Sequence, residues 1–249
     1  MAQTTYHEFK EYGLAVVTGD TLMVEGIPKS TFKNCDHFTE QNFDTKFSKI
    51  VRKNHLDALK EHKLLMARMR IAQKNPEFAY QNAHLNDFIS LAETIFSCIT
   101  DSTFTLKKHG RVIMLPVPLY EKIEQLVAHF NPHITKDNPD YYTNTSAMLI
   151  EKQYILIRQR TLDSSMLITL IHEIGHMITP GSSNPKKLEF YAYCMEYLGL
   201  AIFNHEYQKV FPGAIPIKSH ASAGLKSKIH AAAFKEATEY VKSILAKPP

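Results

Sequence analysis

Residues 163–204 read DSSMLITLIHEIGHMITPGSSNPKKLEFYAYCMEYLGLAIFN, two helical runs separated by a breaker. Asp163 is an N-cap residue ahead of a run whose apolar positions, Met166, Leu167, Leu170, Ile171 and Ile174, recur at helical spacing to about Ile178. TPGSSNP (179–185) ends that helix. Asn184 then caps a second helix that starts with Pro185 at its first position and runs to about Asn204. Upstream, SAMLI and QYILIRQ form a β-hairpin that turns at Glu151-Lys152. The order hairpin, helix, reversal, helix defines the C-terminal half as α+β.

The first of these helices carries His172-Glu173-Ile174-Gly175-His176. Two histidines four apart share one helix face, about one turn from each other. Both imidazoles can therefore reach one zinc ion. Glu173 sits one residue past the first of them, beside the metal rather than on it, where it can act as general base and then acid. A catalytic zinc needs a third protein ligand. If the second helix returns antiparallel, Glu189 comes level with the histidine pair, while Glu196 overshoots by about 10 Å at 1.5 Å per residue. Glu189 is the preferred third ligand; Glu196 and a histidine such as His205 are the alternatives. Manganese, iron or cobalt could occupy the same His/His/Glu set.

HEIGH on a helix, with an aliphatic strand before it and a glutamate-bearing helix after it, resembles the zincin metallopeptidases whose third ligand is glutamate. Within them the chain is most similar to the ImmA/IrrE-like family, where that glutamate is followed three residues later by alanine, here Glu189-Phe190-Tyr191-Ala192. The resemblance covers about residues 145–203. It departs from the family at Met195 and Glu196, where another small residue is usual, and in the short stretch from His176 to Glu189. The metzincin extension is absent, because Met-Ile-Thr-Pro-Gly follows His176. The resemblance implies a zincin-like fold for this half, Zn2+ as cofactor, and a protein or peptide substrate held extended along the strand above the active helix. That substrate-binding role falls on Tyr154, Ile155 and Leu156. Independently, QYILIRQ is a run of β-formers without proline; its other reading is an interior strand of the sheet. An oxyanion donor is also required, and Tyr193, Tyr191, Tyr197, His205 and His220 all qualify. The expected activity is that of a zinc metalloendopeptidase. The alternatives are a non-catalytic zincin-fold binding protein and a protease acting on DNA-binding proteins.

Outside this stretch the chain divides near residue 102. Residues 1–102 read as a mostly helical region of unknown role, and residues 103–249 as the metallopeptidase domain. A β-hairpin is expected over 13–25 around Gly19-Asp20, and helices over about 43–74 and 77–100. A second hairpin is expected from STFTLKK and RVIML, turning at His109-Gly110. Helices over about 119–130 and 221–246 complete the set. The helix over 43–74 carries Lys46, Lys49, Arg52, Lys53, Lys60, Lys63, Arg68, Arg70 and Lys74. Such a face suits nucleic acid or an anionic surface, although a solvated face is the commoner meaning. The net charge of +4 over 249 residues adds nothing to the nucleic-acid reading. Cys35, Cys98 and Cys194 sit far apart and form no CxxC pair, which argues against a disulfide framework and an all-cysteine zinc site and fits a reducing, cytoplasmic setting. No apolar run approaches the roughly 18 residues of a membrane span, and the N-terminus has charges where an export signal has its apolar core. An effector delivered without a cleaved signal is the alternative location.

Overall fold

Strand β5 (Tyr154–Arg158) has four consecutive buried residues, Tyr154, Ile155, Leu156 and Ile157. A strand that is apolar on both faces must be covered on both faces, and the arrangement around β5 meets that demand. The computed structural model describes residues 15–18, 22–25, 33, 35–56, 85–136, 138–139, 141–142, 145–160, 163–213, 215–219 and 227–246. In it β5 is the central strand of a three-stranded sheet. It pairs in parallel with β3 (Arg111–Leu115) and antiparallel with β4 (Ala147–Ile150). Ile150 faces Tyr154 across the β4–β5 turn, whose residues Glu151 and Lys152 have φ of 53° and 56°. That left-handed turn matches the twist of the two strands.

Tyr154 and Leu156 point to one side of the sheet, where Tyr120, Ile123 and Val127 of helix α4 (Val117–Phe130) close a small core with Ile113, Leu115, Met148 and Ile150. Ile155 and Ile157 point to the other, into the main core. There the chain stacks α6 (Ser164–Ile178), α7 (Pro185–Val210) and α8 (Lys228–Ala246), with α1 (Phe43–Leu56) and α2 (Leu85–Thr100) against them. The remaining elements are the short helices α3 (Leu106–His109) and α5 (Pro132–Thr135) and the hairpin β1 (Ala15–Thr18)–β2 (Leu22–Glu25). The fold is α+β and mostly helical. Among the described residues no helix is long and apolar enough to cross a membrane.

Both expected caps are present. The Asp163 side chain accepts from Ser165 N at 2.9 Å, and Asn184 Oδ1 accepts from Lys187 N at 3.3 Å. Helix α7 runs past Asn204 to Val210. The hairpins at 15–25 and 147–158 form as expected. The hairpin expected around His109-Gly110 does not. Residues 106–109 make a helical turn, and Arg111–Leu115 pairs in parallel with the distant β5. Gly110 is required there for a different reason: a Cβ on it would stand 2.0 Å from the carbonyl oxygen of Gln153.

The placement of substrate along Tyr154, Ile155 and Leu156 is also corrected. All three are fully buried, and the backbone of β5 is committed on both edges, which leaves nothing for a peptide to pair with. Around the expected boundary at residue 102 the packing is continuous, since Phe43, Phe47, Phe88, Ile95 and Phe96 share one core with Leu170, Ile171 and Leu198. Lys46 donates to the carbonyl of His37 at 2.7 Å, and Lys53 pairs with Asp101, so half of the described basic residues on α1 have local partners. Lys60, Lys63, Arg68, Arg70 and Lys74 lie outside the described residues, as does the stretch 77–84 of the second expected helix.

Candidate metal centre

Helices α6 and α7 run antiparallel and very close together. A Cβ on Gly175 would stand 2.9 Å from Met195 Cβ and 3.3 Å from the Ala192 carbonyl oxygen, and one on Gly199 would stand 2.8 Å from Ile171. The glycine inside HEIGH thus lets the second helix approach until Glu189, in its second turn, meets both histidines. Glu189 Oε2 lies 3.2 Å from His172 Nε2 and 3.5 Å from His176 Nε2. One donor atom from each of the three residues lies within 4.8 Å of the others, and all three side chains are largely buried. His172, His176 and Glu189 form a cluster that can hold a metal ion.

Glu196 takes up a different position from either expectation. Its Oε2 lies 2.9 Å from His172 Nδ1, on the side of the ring away from Glu189. Because the helices are antiparallel, moving two turns forward along α7 leads back along α6 from His176 to His172, and the side chain spans the remainder. Ser219 donates to the other oxygen of Glu196. A carboxylate on the outer nitrogen of a ligand histidine fixes its tautomer and the direction of its inner nitrogen. His176 has no such partner, and its buried Nδ1 is unpaired among the described residues.

Three carboxylates, Glu173, Glu189 and Glu196, are thus buried at 7%, 4% and 2% exposure. None of them pairs with a lysine or arginine among the described residues; their ionic partners are histidines alone. Burying three carboxylates against titratable imidazoles alone is costly, so a cation at the His172–His176–Glu189 convergence fits the donor set. Burial pushes the Glu173 carboxyl above its usual range, against the pull of His176 and His172. Burial also acts to raise Glu189, but His176, His230 and His172 outweigh it and hold Glu189 well below the carboxylate range. Burial would lower His172, and Glu189 and Glu196 reverse that, holding it well above the usual imidazole range.

Two residues that the sequence did not single out complete the site. His230, near the start of α8, places Nδ1 3.3 Å from Glu189 Oε2 and 3.1 Å from Tyr193 OH. Tyr141, in the loop before β4, donates from its hydroxyl to Glu189 Oε1 at 2.6 Å and stacks on the His230 ring at 5.1 Å. Burial first, then the Glu189 charge, keeps the Tyr141 phenol protonated. Of the expected oxyanion donors only Tyr193 is near, its ring edge-on to His172 at 4.7 Å. Tyr191 faces the opposite way, 4.4 Å from Phe43. His205 bonds Glu206 near the far end of α7, four turns beyond Glu189, so neither Tyr191 nor His205 is part of the site. Tyr197 is on the exposed side of α7, and His220 lies outside the described residues.

His172, Glu173, His176, Glu189 and His230 line a cavity of about 600 Å³. It extends along the outer edge of β4 to the end of α4, with Val127, Met148, Ile150 and Leu188 in its walls. No protein-family model, curated protein or solved structure matches this chain.

Proposed function

We propose that the protein is a zinc metalloendopeptidase of the zincin type, hydrolysing peptide bonds of a protein substrate. The observation that carries this is Glu173. It is a buried carboxylate that shares the cavity with the three convergent ligand side chains and makes no hydrogen bond among the described residues. His172 and His176 through Nε2, and Glu189 through Oε2, would hold the zinc. When bound there, zinc supplies Lewis acidity toward a water molecule and toward the substrate carbonyl.

Glu173, made more basic by burial, takes the proton of the attacking water and returns it to the leaving amine. Burial lowers the pKa of His230 and favours its neutral ring; with the Tyr193 hydroxyl donating to Nδ1, the ring proton sits on Nε2, which can donate to the oxygen that gains charge in the transition state. Glu196 aligns His172. The strand available to an extended substrate is β4, an edge strand of its sheet among the described residues and a wall of the cavity; pairing there would seat apolar substrate side chains against Val127, Met148 and Ile150. The similarity to the ImmA/IrrE-like family, carried by HEIGH and by Glu189 with Ala192, agrees with this reading. A purely binding role would leave Glu173 as a buried carboxylate with no task.

The test is metal content together with cleavage of a mixed peptide library. Wild type is expected to hold about one zinc per chain, with His172→Ala and Glu189→Ala losing it. Glu173→Gln is expected to keep the zinc and lose cleavage by at least the 10²–10⁴-fold typical of general acid–base catalysis. Cleavage by Glu173→Gln at the wild-type rate, or wild type without metal, would overturn the proposal.

A further inference from the structure

The two oxygens of Glu189 serve different partners. Oε2 faces His172 Nε2 at 3.2 Å, His176 Nε2 at 3.5 Å and His230 Nδ1 at 3.3 Å. Among the described residues Oε1 accepts a single hydrogen bond, from Tyr141 at 2.6 Å. Rotation about the terminal bond of a glutamate is broad and nearly two-fold. Nothing intrinsic to the side chain therefore decides which oxygen faces the histidines, or whether both do. The Tyr141 hydroxyl supplies that decision from outside the helix. It is held in turn by the His230 ring beneath it and by Tyr142, edge-on at 4.7 Å.

We propose that Tyr141 is a positioning residue for the metal centre: by holding Glu189 Oε1 it presents Oε2 alone to the ion, so that the carboxylate binds through one oxygen and one coordination position stays open. The inference rests on the metal reading above, but not on peptidase activity. Partners of this kind typically contribute 10–100-fold to metal affinity. The loop that carries Tyr141 lies between α5 and β4, so it ties the cavity wall to the ligand set.

Tyr141→Phe removes one oxygen and keeps the ring and its stacking. Zinc affinity, measured by competition with a chromogenic chelator, is expected to fall 10–100-fold in Tyr141→Phe and to stay at the wild-type value in Tyr142→Phe. The visible absorption of the cobalt(II) forms gives a second readout: a carboxylate released to bind through both oxygens raises the coordination number and weakens the bands in Tyr141→Phe alone. Metal-free Tyr141→Phe is expected to unfold in urea close to the wild-type midpoint. Wild-type affinity and spectrum in Tyr141→Phe would overturn the positioning role while leaving the metal centre intact. So would an affinity loss accompanied by collapse of the metal-free fold. Absence of zinc and cobalt binding in wild type would instead remove the metal reading, and this inference with it.

Discussion

Glu189 and Glu196 lie on one helix, both buried, yet only one of them faces the convergence of histidines. What separates them is which nitrogen of His172 each one reaches: Nε2 for Glu189 at 3.2 Å, Nδ1 for Glu196 at 2.9 Å. Their substitutions should therefore differ in kind. Glu189→Ala removes a ligand. Glu196→Gln keeps an acceptor near His172 Nδ1 but removes the charge, and zinc affinity should fall 10–100-fold without being abolished; a chelator titration of the two variants distinguishes them, and equal loss in both would make Glu196 a ligand. His172, Glu173, His176 and Glu189 were legible in the sequence because one helix and its antiparallel successor generate them from local spacing. His230 and Tyr141 were not. They arrive from elements far away in the chain, and their neighbours, an amphipathic helix with lysines and a loop rich in Asn and Pro, carry no signal of a site.

At the scale of elements, the contact that makes the site is the crossing of α6 and α7 at Gly175. Gly175→Ala should gain up to about 1 kcal/mol in helix propensity. A new Cβ 2.9 Å from Met195 Cβ, however, forces backbone to move, and overpacking of this kind costs about 1–3 kcal/mol. The repulsion wins, so the variant should unfold at lower urea concentration and bind zinc more weakly as Glu189 draws back. An unchanged midpoint and affinity would show that the helices can part without moving the ligand. The caps at Asp163 and Asn184 and the hairpin at 147–158 were readable because each is closed by residues a few positions apart. The parallel pairing of β3 with β5 was not. A parallel pair has no turn of its own, and Gly110, which looked like a hairpin turn, is there to admit the Gln153 carbonyl. The burial of β5 was half legible, since four apolar residues in succession already suit a strand covered on both faces.

Across the whole molecule, residues on both sides of position 102 build one core. Phe47 is fully buried, stacked on Phe43 at 5.1 Å and on Tyr240 of α8 at 5.9 Å. Phe47→Ala should cost about 3–5 kcal/mol, read as a lowered urea midpoint, although it lies far from the cavity in sequence. A cost below about 1 kcal/mol would show that the N-terminal helices only lean on the rest. Because α1 braces the helix that carries His230, the same substitution should, on the proposed function, weaken peptide cleavage more than metal content. That helix also gives assembly an order. The chain leaves the ribosome with His172, His176 and Glu189 ahead of His230, so a nascent chain can present the candidate metal ligands before it presents His230. On the proposed function, such a chain would gather its metal ligands first and His230 last, and its centre would stay incomplete until α8 has docked.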